Sequence, residues 1–294
     1  MRVGFRVRDR LVSCLDSAPA RSEPAQDVTA ATPADASQAF GPRNVLLFLH
    51  AFPLNASMWE AQLGSTPPGW RVLAPDMRGC GGSEPDDRPD STTLSLDDYA
   101  HDVLALLDHL RVARVVVAGL SMGGYTAFAL LRLAPERIAG LVLCNTKAEA
   151  DSEEAKSGRR DMLRLLDREG ITGVASTLTP RLLGVTTRAA RPQVDQSVRA
   201  MAVRNAADGL RAAITRMMNR ADSTCLLPNI KCPTLVVVSD EDVVTPADQG
   251  LAMQRAIPAS ELAMIGRAGH LSSLEQPDRF AGALHRFLAA RFRD

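Results

Sequence analysis

From residue 44 onward two hydrophobic patterns alternate along the chain. Short unbroken apolar runs, VLLFL at 45–49, VVVA at 115–118, LVLC at 141–144 and LVVV at 235–238, are separated by longer stretches. In those stretches the apolar residues recur every three or four positions. An unbroken run of this length predicts a strand buried on both faces, and the longer period predicts an amphipathic helix. Strands are therefore predicted at 45–49, 71–74, 114–118, 140–144, 234–238 and 261–265. Ser57-x-x-Glu60 and Ser95-x-x-Asp98 read as capping boxes. The second opens a helix with Tyr99, Val103, Leu106 and Leu110 on one face. A last helix is predicted from near Pro277 to the C-terminus. Strands alternating with helices predict an α/β protein with a mostly parallel sheet flanked by helices.

Two segments break the rhythm. Residues 1–16 predict a hairpin of the core, turning at Asp9-Arg10. It is followed at 17–43 by a stretch rich in Ala, Pro, Ser, Thr and Asp, with almost no large apolar residue. Such a stretch buries too little surface to order itself and reads as a flexible insertion. Residues 147–232 contain only helical patterns, at Met162/Leu163/Leu166, Val194/Val198/Met201 and Leu210/Ala213/Ile214/Met217/Met218. A helical block between two strands predicts a cap. The expected organisation is thus a core at 44–146 and 233–294, interrupted by a cap at 147–232.

Composition narrows the function. The 294 residues carry a formal net charge of zero, which argues against a nucleic-acid partner. No apolar run approaches the ~18 residues of a membrane span, and no apolar h-region follows the basic N-terminus. Cys14, Cys80, Cys144, Cys225 and Cys232 are scattered, which predicts reduced thiols in a cytoplasmic protein. No His/Cys cluster has metal-ligand spacing, so no metal site is expected.

Candidate chemistry centres on Gly119-Leu120-Ser121-Met122-Gly123. A β-branched run enters this Gly-x-Ser-x-Gly and a helix-compatible run leaves it, as a nucleophile elbow requires. A serine needs a base, and the base needs an orienting carboxylate. Among the five histidines, His101 and His109 fall off the apolar face of their helix, and His285 lies in the terminal helix. His50 ends the 45–49 strand. His270 follows the 261–265 strand in a loop at the sheet's C-terminal edge, and is the expected base. The acid is expected after the 234–238 strand, where Asp240, Glu241 and Asp242 compete.

Several motifs together resemble the α/β-hydrolase superfamily, over essentially all of residues 44–293. Leu49-His50-Ala51-Phe52-Pro53-Leu54 is similar to its oxyanion loop, and Asp76-Met77-Arg78-Gly79-Cys80-Gly81-Gly82-Ser83 to its Asp-x-Arg-Gly-x-Gly-x-Ser turn. Ser239-x-x-Asp242-x-x-x-Pro246 resembles its acid loop, and Gly269-His270-Leu271-x-x-Leu274-Glu275-x-Pro277 its histidine loop. The elbow with Pro135-Glu136-Arg137 and Leu141-Val142-Leu143-Cys144-Asn145-Thr146 resembles the 3-oxoadipate enol-lactonase branch. Non-haem haloperoxidase-like esterases are also similar.

The resemblance implies a Ser121–His270–Asp242 triad, with the backbone N–H groups of Phe52 and Met122 as oxyanion hole. It implies a small ester or lactone as substrate, cleaved through an acyl-enzyme with no cofactor or metal required. The serine sets the chain apart from the dehalogenase and epoxide hydrolase branches, which use an aspartate there. Rival readings are a perhydrolase or haloperoxidase, a carbon–carbon hydrolase or an acyltransferase on the same triad, and a non-enzymatic binding protein. One departure is Ala51, where the family usually has Gly; Ala tolerates a positive φ poorly. Finally, residues 151–226 hold thirteen Lys/Arg against nine Asp/Glu. That excess predicts either a positive lid favouring anionic substrates or a solvated outer face.

Overall fold

The structure, a computed structural model, describes residues 1–8, 10–18, 44–88 and 91–292. Apart from Ser17 and Ala18, the 17–43 stretch lies outside the described residues. The strands are β1 (Arg2–Val7), β2 (Arg10–Asp16), β3 (Asn44–Leu49), β4 (Trp70–Pro75), β5 (Val115–Leu120), β6 (Ile138–Cys144), β7 (Thr234–Ser239) and β8 (Glu261–Ile265). They form one sheet in the order β1-β2-β4-β3-β5-β6-β7-β8. β1 and β2 pair antiparallel with each other, β2 is antiparallel to β4, and the rest of the sheet is parallel. This is the α/β-hydrolase architecture expected from the motifs.

The unbroken apolar runs serve both faces of this sheet. Leu47, Leu49, Val115, Val117, Leu141, Leu143, Val236 and Val238 belong to one core cluster. Their neighbours Leu46, Phe48, Val116, Ala118, Val142, Leu235 and Val237 belong to the other. Side chains alternate along a strand, so two buried faces leave no polar position in the run.

The helices are α1 (Glu60–Gly64), α2 (Leu96–His109), α3 (Met122–Leu133), α4 (Glu153–Leu182), α5 (Val185–Ala190), α6 (Pro192–Ala202), α7 (Ala207–Met218), α8 (Ala247–Ala256), α9 (Ser272–Glu275) and α10 (Pro277–Arg291). Among the described residues, none is long and apolar enough to cross a membrane. α2, α3 and α8 cover the first face, while α10 and the turn bearing Trp59 cover the second. The Ser95 capping box is present in full. The Ser57 box is not: the cap there is Asn55, whose side chain accepts from the Ser57 N–H, while Ser57 Oγ accepts from Arg2. Asn outcompetes Ser by reaching forward to the amide two residues on, as an Asx turn does.

Between β6 and β7 lie α4 to α7. α4 is bent at Gly170, whose φ of 63° and ψ of −165° are not helical. α5 carried no recognisable period, because six residues are too few to show one. This helical insert is tied to the core by buried polar groups. Arg216, fully buried on α7, donates to Asp86 at 2.8 and 2.7 Å and to Asp98 at 3.0 Å, and lies 4.6 Å over the Tyr99 ring. Arg78 shares Asp86 and also pairs with Asp102. Asn205 donates to Pro53 O at 2.6 Å and Leu54 O at 3.2 Å, and accepts from Gly81 N at 2.8 Å.

Burial disfavours the charged form of Asp86, but Arg216 and Arg78 outweigh it and hold the carboxyl below its ordinary value. A depressed folded-state value stabilises the protein above the ordinary carboxylate range, and that stability is lost as the pH falls through the folded value. Arg216→Ala is expected to cost about 3 kcal/mol at neutral pH, because it removes the buried guanidinium that Asp86 and Asp98 share and leaves Asp86 with Arg78 alone. Urea unfolding across the acid range should show the gap from wild type closing as the pH drops. A gap independent of pH would contradict the ion-pair account.

Candidate active site

The site forms where the strand order reverses. β3 lies between β4 and β5, so the loops leaving β3 and β5 diverge and open a crevice at the sheet's C-terminal edge. β5 delivers Ser121 to that crevice. Ser121 has φ 55° and ψ −113°, a strained conformation for a residue with a side chain. It is held by its neighbours: its N–H donates to Cys144 O at 3.0 Å, and its carbonyl accepts from Gly124 N at 2.8 Å and Thr146 Oγ1 at 2.9 Å.

Two glycines make the turn sterically possible. A Cβ on Gly119 would lie 2.3 Å from Gly123 O, and one on Gly123 would lie 2.1 Å from Leu49 O. The first turn of α3 therefore rests directly on the end of β3. Met122 opens α3, and first-turn amides have no intrahelical acceptor. Phe52 follows β3 in the adjoining loop. Ala51 is not among the residues with positive φ, so the alanine fits this loop without strain. His50 is a loop residue: its Nε2 accepts from Met77 N–H at 3.0 Å and its Nδ1 lies 3.1 Å from Ala51 O. Burial pushes its imidazole towards the neutral form, which suits that pairing.

The three acidic candidates separate by geometry. Asp240 accepts from the Arg267 and Ala268 amides, and Glu241 from Thr186 of the insert. Asp242 Oδ2 lies 2.9 Å from His270 Nδ1. It also accepts from Asn145 Nδ2 at 2.9 Å and Thr245 Oγ1 at 2.7 Å, while Oδ1 accepts from the Val244 and Thr245 amides at 2.8 and 3.0 Å. Burial alone would raise the Asp242 carboxyl. The His270 charge and the hydrogen bonds from His270 and Thr245 outweigh it and hold the group far below the carboxylate range. In the neutral imidazole, donation of Nδ1–H to Asp242 leaves Nε2 as the acceptor.

Ser121 and His270 line one cavity of about 660 Å³, together with Phe52, Tyr125 and residues of α4. The structure thus gathers Ser121, His270 with its partner Asp242, and Phe52 of the loop after β3 around one crevice. Of the thirteen cationic residues of 151–226, only Arg159 and Arg181 line the cavity. With Lys147 they face Asp151, Glu154 and Asp161, three charges of each sign. The positive excess of this segment is therefore not focused on the cavity. Arg220 is instead buried against Asp151 at 2.6 Å and stacks 4.2 Å from the Tyr125 ring. Among the described residues, no three His, Cys, Asp or Glu side chains gather as metal ligands would.

Asn145 escaped the motif reading as a functional residue. Besides Asp242, it donates to Ser239 Oγ at 3.0 Å and accepts from Ser272 Oγ at 2.6 Å. In the sequence it stands directly after an apolar strand, inside the Leu141–Thr146 motif that resembles the enol-lactonase branch, and neither signal names its partners.

These features agree with the comparisons. The model of a family described as alpha/beta hydrolase fold matches residues 44–277, and the chain belongs to that family. 3-Oxoadipate enol-lactonase 2 of Acinetobacter baylyi is 30% identical over 242 residues, covering 82% of this chain and 87% of that protein. A thermophilic esterase from Thermogutta terrifontis, solved with malate bound, superposes with a TM-score of 0.86 at 34% identity over all of both chains. The enol-lactonase from Burkholderia xenovorans LB400 superposes with a TM-score of 0.81 at 26% identity, over 98% of this chain and 100% of that one.

Asn145→Ala removes a donor from a buried carboxylate and leaves two serine hydroxyls short of a partner. It should cost about 2–3 kcal/mol of unfolding free energy in urea. A loss under about 0.5 kcal/mol would show that the network closes without it.

Proposed function

We propose that the protein is a serine hydrolase that cleaves a small carboxylic ester or lactone through an acyl-enzyme. The observation that carries this reading is a strained elbow serine sharing a cavity with a histidine whose far nitrogen is already committed to a buried aspartate. The comparisons with an esterase and with enol-lactonases support the bond type.

In this mechanism His270 Nε2 takes the proton from Ser121 Oγ as the oxygen attacks the carbonyl carbon. The Met122 and Phe52 N–H groups receive the carbonyl oxygen as it becomes an oxyanion, each contributing about 3–4 kcal/mol to the transition state. Asp242 holds the tautomer and stabilises the imidazolium. The tetrahedral intermediate collapses, and His270 delivers its proton to the leaving alkoxide. With a lactone the leaving group stays on the same molecule, as an acyl chain ending in the new hydroxyl or, for an enol, its keto form. Water, deprotonated by His270, then attacks the acyl carbon and Ser121 leaves with the proton returned. The helical insert acts as a cap, with residues of α4 forming a wall of the cavity that Ser121 lines. The balanced charge of its walls suits a substrate recognised by shape and hydrogen bonds.

Ser121→Ala should retain the fold by circular dichroism and lose ester turnover and fluorophosphonate labelling; wild-type turnover in that variant would refute the elbow assignment. Asp242→Asn should lower turnover on the order of 10⁴-fold, because the wrong imidazole tautomer is then favoured. Asp240→Asn and Glu241→Gln, whose carboxylates hold loops, should be far milder. Equal effects at all three positions would remove Asp242 from the role of acid.

A further inference from the structure

We propose that Glu275 is a positioning residue that couples the helical insert to the histidine loop, so that the seat of the insert sets how His270 faces Ser121. The inference rests on the reading of His270 as the base and adds a residue and a coupling to it.

Glu275 is fully buried, and the partners of its carboxylate are backbone amides. Oε1 accepts from Gly269 N at 2.9 Å and Leu271 N at 3.2 Å, the residues on either side of His270. Oε2 accepts from Gly184 N at 2.8 Å, where α4 ends and α5 begins. The His270 amide between them donates to Leu182 O at 3.0 Å. All three amides at 269–271 are thus taken, two by Glu275 and one by the insert. A buried carboxylate is costly unless its lone pairs are met, and three N–H donors meet them here.

The two backbones also touch. A Cβ on Gly184 would lie 2.7 Å from Gly269 N, and a Cβ on Gly269 would lie 2.3 Å from Gly184 N. Next along the insert, Thr186 donates its N–H at 2.9 Å, and its hydroxyl, to Glu241, the residue before Asp242. Residues 182–186 therefore bind both the loop that carries the base and the loop that carries the acid. A shift of this junction moves the amides on both sides of His270. A misplacement of about 1 Å far from the reacting atoms can cost on the order of 10² in rate.

Glu275→Gln is the test, because an amide presents N–H to one of the donors that the carboxylate accepts. The folded variant should lose kcat by roughly 10- to 100-fold on a small ester, with KM nearly unchanged. Its rate of labelling by a small fluorophosphonate, which needs the serine and its base but little of the cavity, should fall by the same factor. A purely structural glutamate would lower the melting temperature and leave both rates intact in the folded fraction. If Glu275→Gln does not fold, Gly184→Ala disturbs the same junction from the insert side and should give the same parallel loss. Wild-type rates in either folded variant, or a change in KM alone, would overturn the coupling. Ser121→Ala keeps the two ideas apart: if it retains turnover, the triad reading fails. If it is dead while folded Glu275→Gln is fully active, only the coupling fails.

Discussion

The crossing of α3 over the end of β3 sets everything else at the site. Gly123 brings the helix against the Leu49 carbonyl at a separation that admits no side chain. That contact forces the turn at Ser121 into its positive φ, and it places the loop beginning at His50 beside the first amides of α3. The switch in strand order supplies the crevice, and the glycine contact supplies the aim. A side chain at Gly119 or Gly123 would lift the helix and remove the serine from the cavity it shares with His270.

Around this point the protein spends buried polar groups on position. Asp242 takes five hydrogen bonds from His270, Asn145, Thr245 and Val244, and Glu275 takes three from backbone amides. Asn205 holds the β3 loop from the insert, and Arg216 closes the other end of the insert on Asp86 and Asp98. Each is a buried group whose loss leaves unmatched partners, which is why such networks fix one arrangement of loops. The insert is thereby joined to the loops after β3, β7 and β8 together.

The sheet, the elbow and His270 were legible in the sequence because each leaves a local mark: a buried run, a glycine pair about a serine, a histidine just past a strand. Asp242 needed the resemblance, since three adjacent carboxylates carry equal local signals and only the loop geometry assigns them. Asn145 and Glu275 stand inside the motifs that resemble the enol-lactonase branch and the histidine loop, but their partners lie more than 90 residues or an element away, or are backbone amides without a side-chain signal, so the motifs do not show what they bind. Arg216 read as one more helix cation, but its neighbours in space come from residues 86 and 98. The same reason undoes the lid charge: net charge along a helical segment says nothing about which face each arginine takes.

The central claim is that Ser121 forms a covalent acyl intermediate in this cavity. Rapid quenching of the enzyme during turnover of an activated acetate ester, followed by peptide mass spectrometry, tests it directly. The account predicts an acetyl group on the peptide at Ser121, enriched in Asp242→Asn by slow deacylation and absent in Ser121→Ala. Steady turnover with Ser121 unmodified at every quench time, or acetylation of another residue at the catalytic rate, would contradict it.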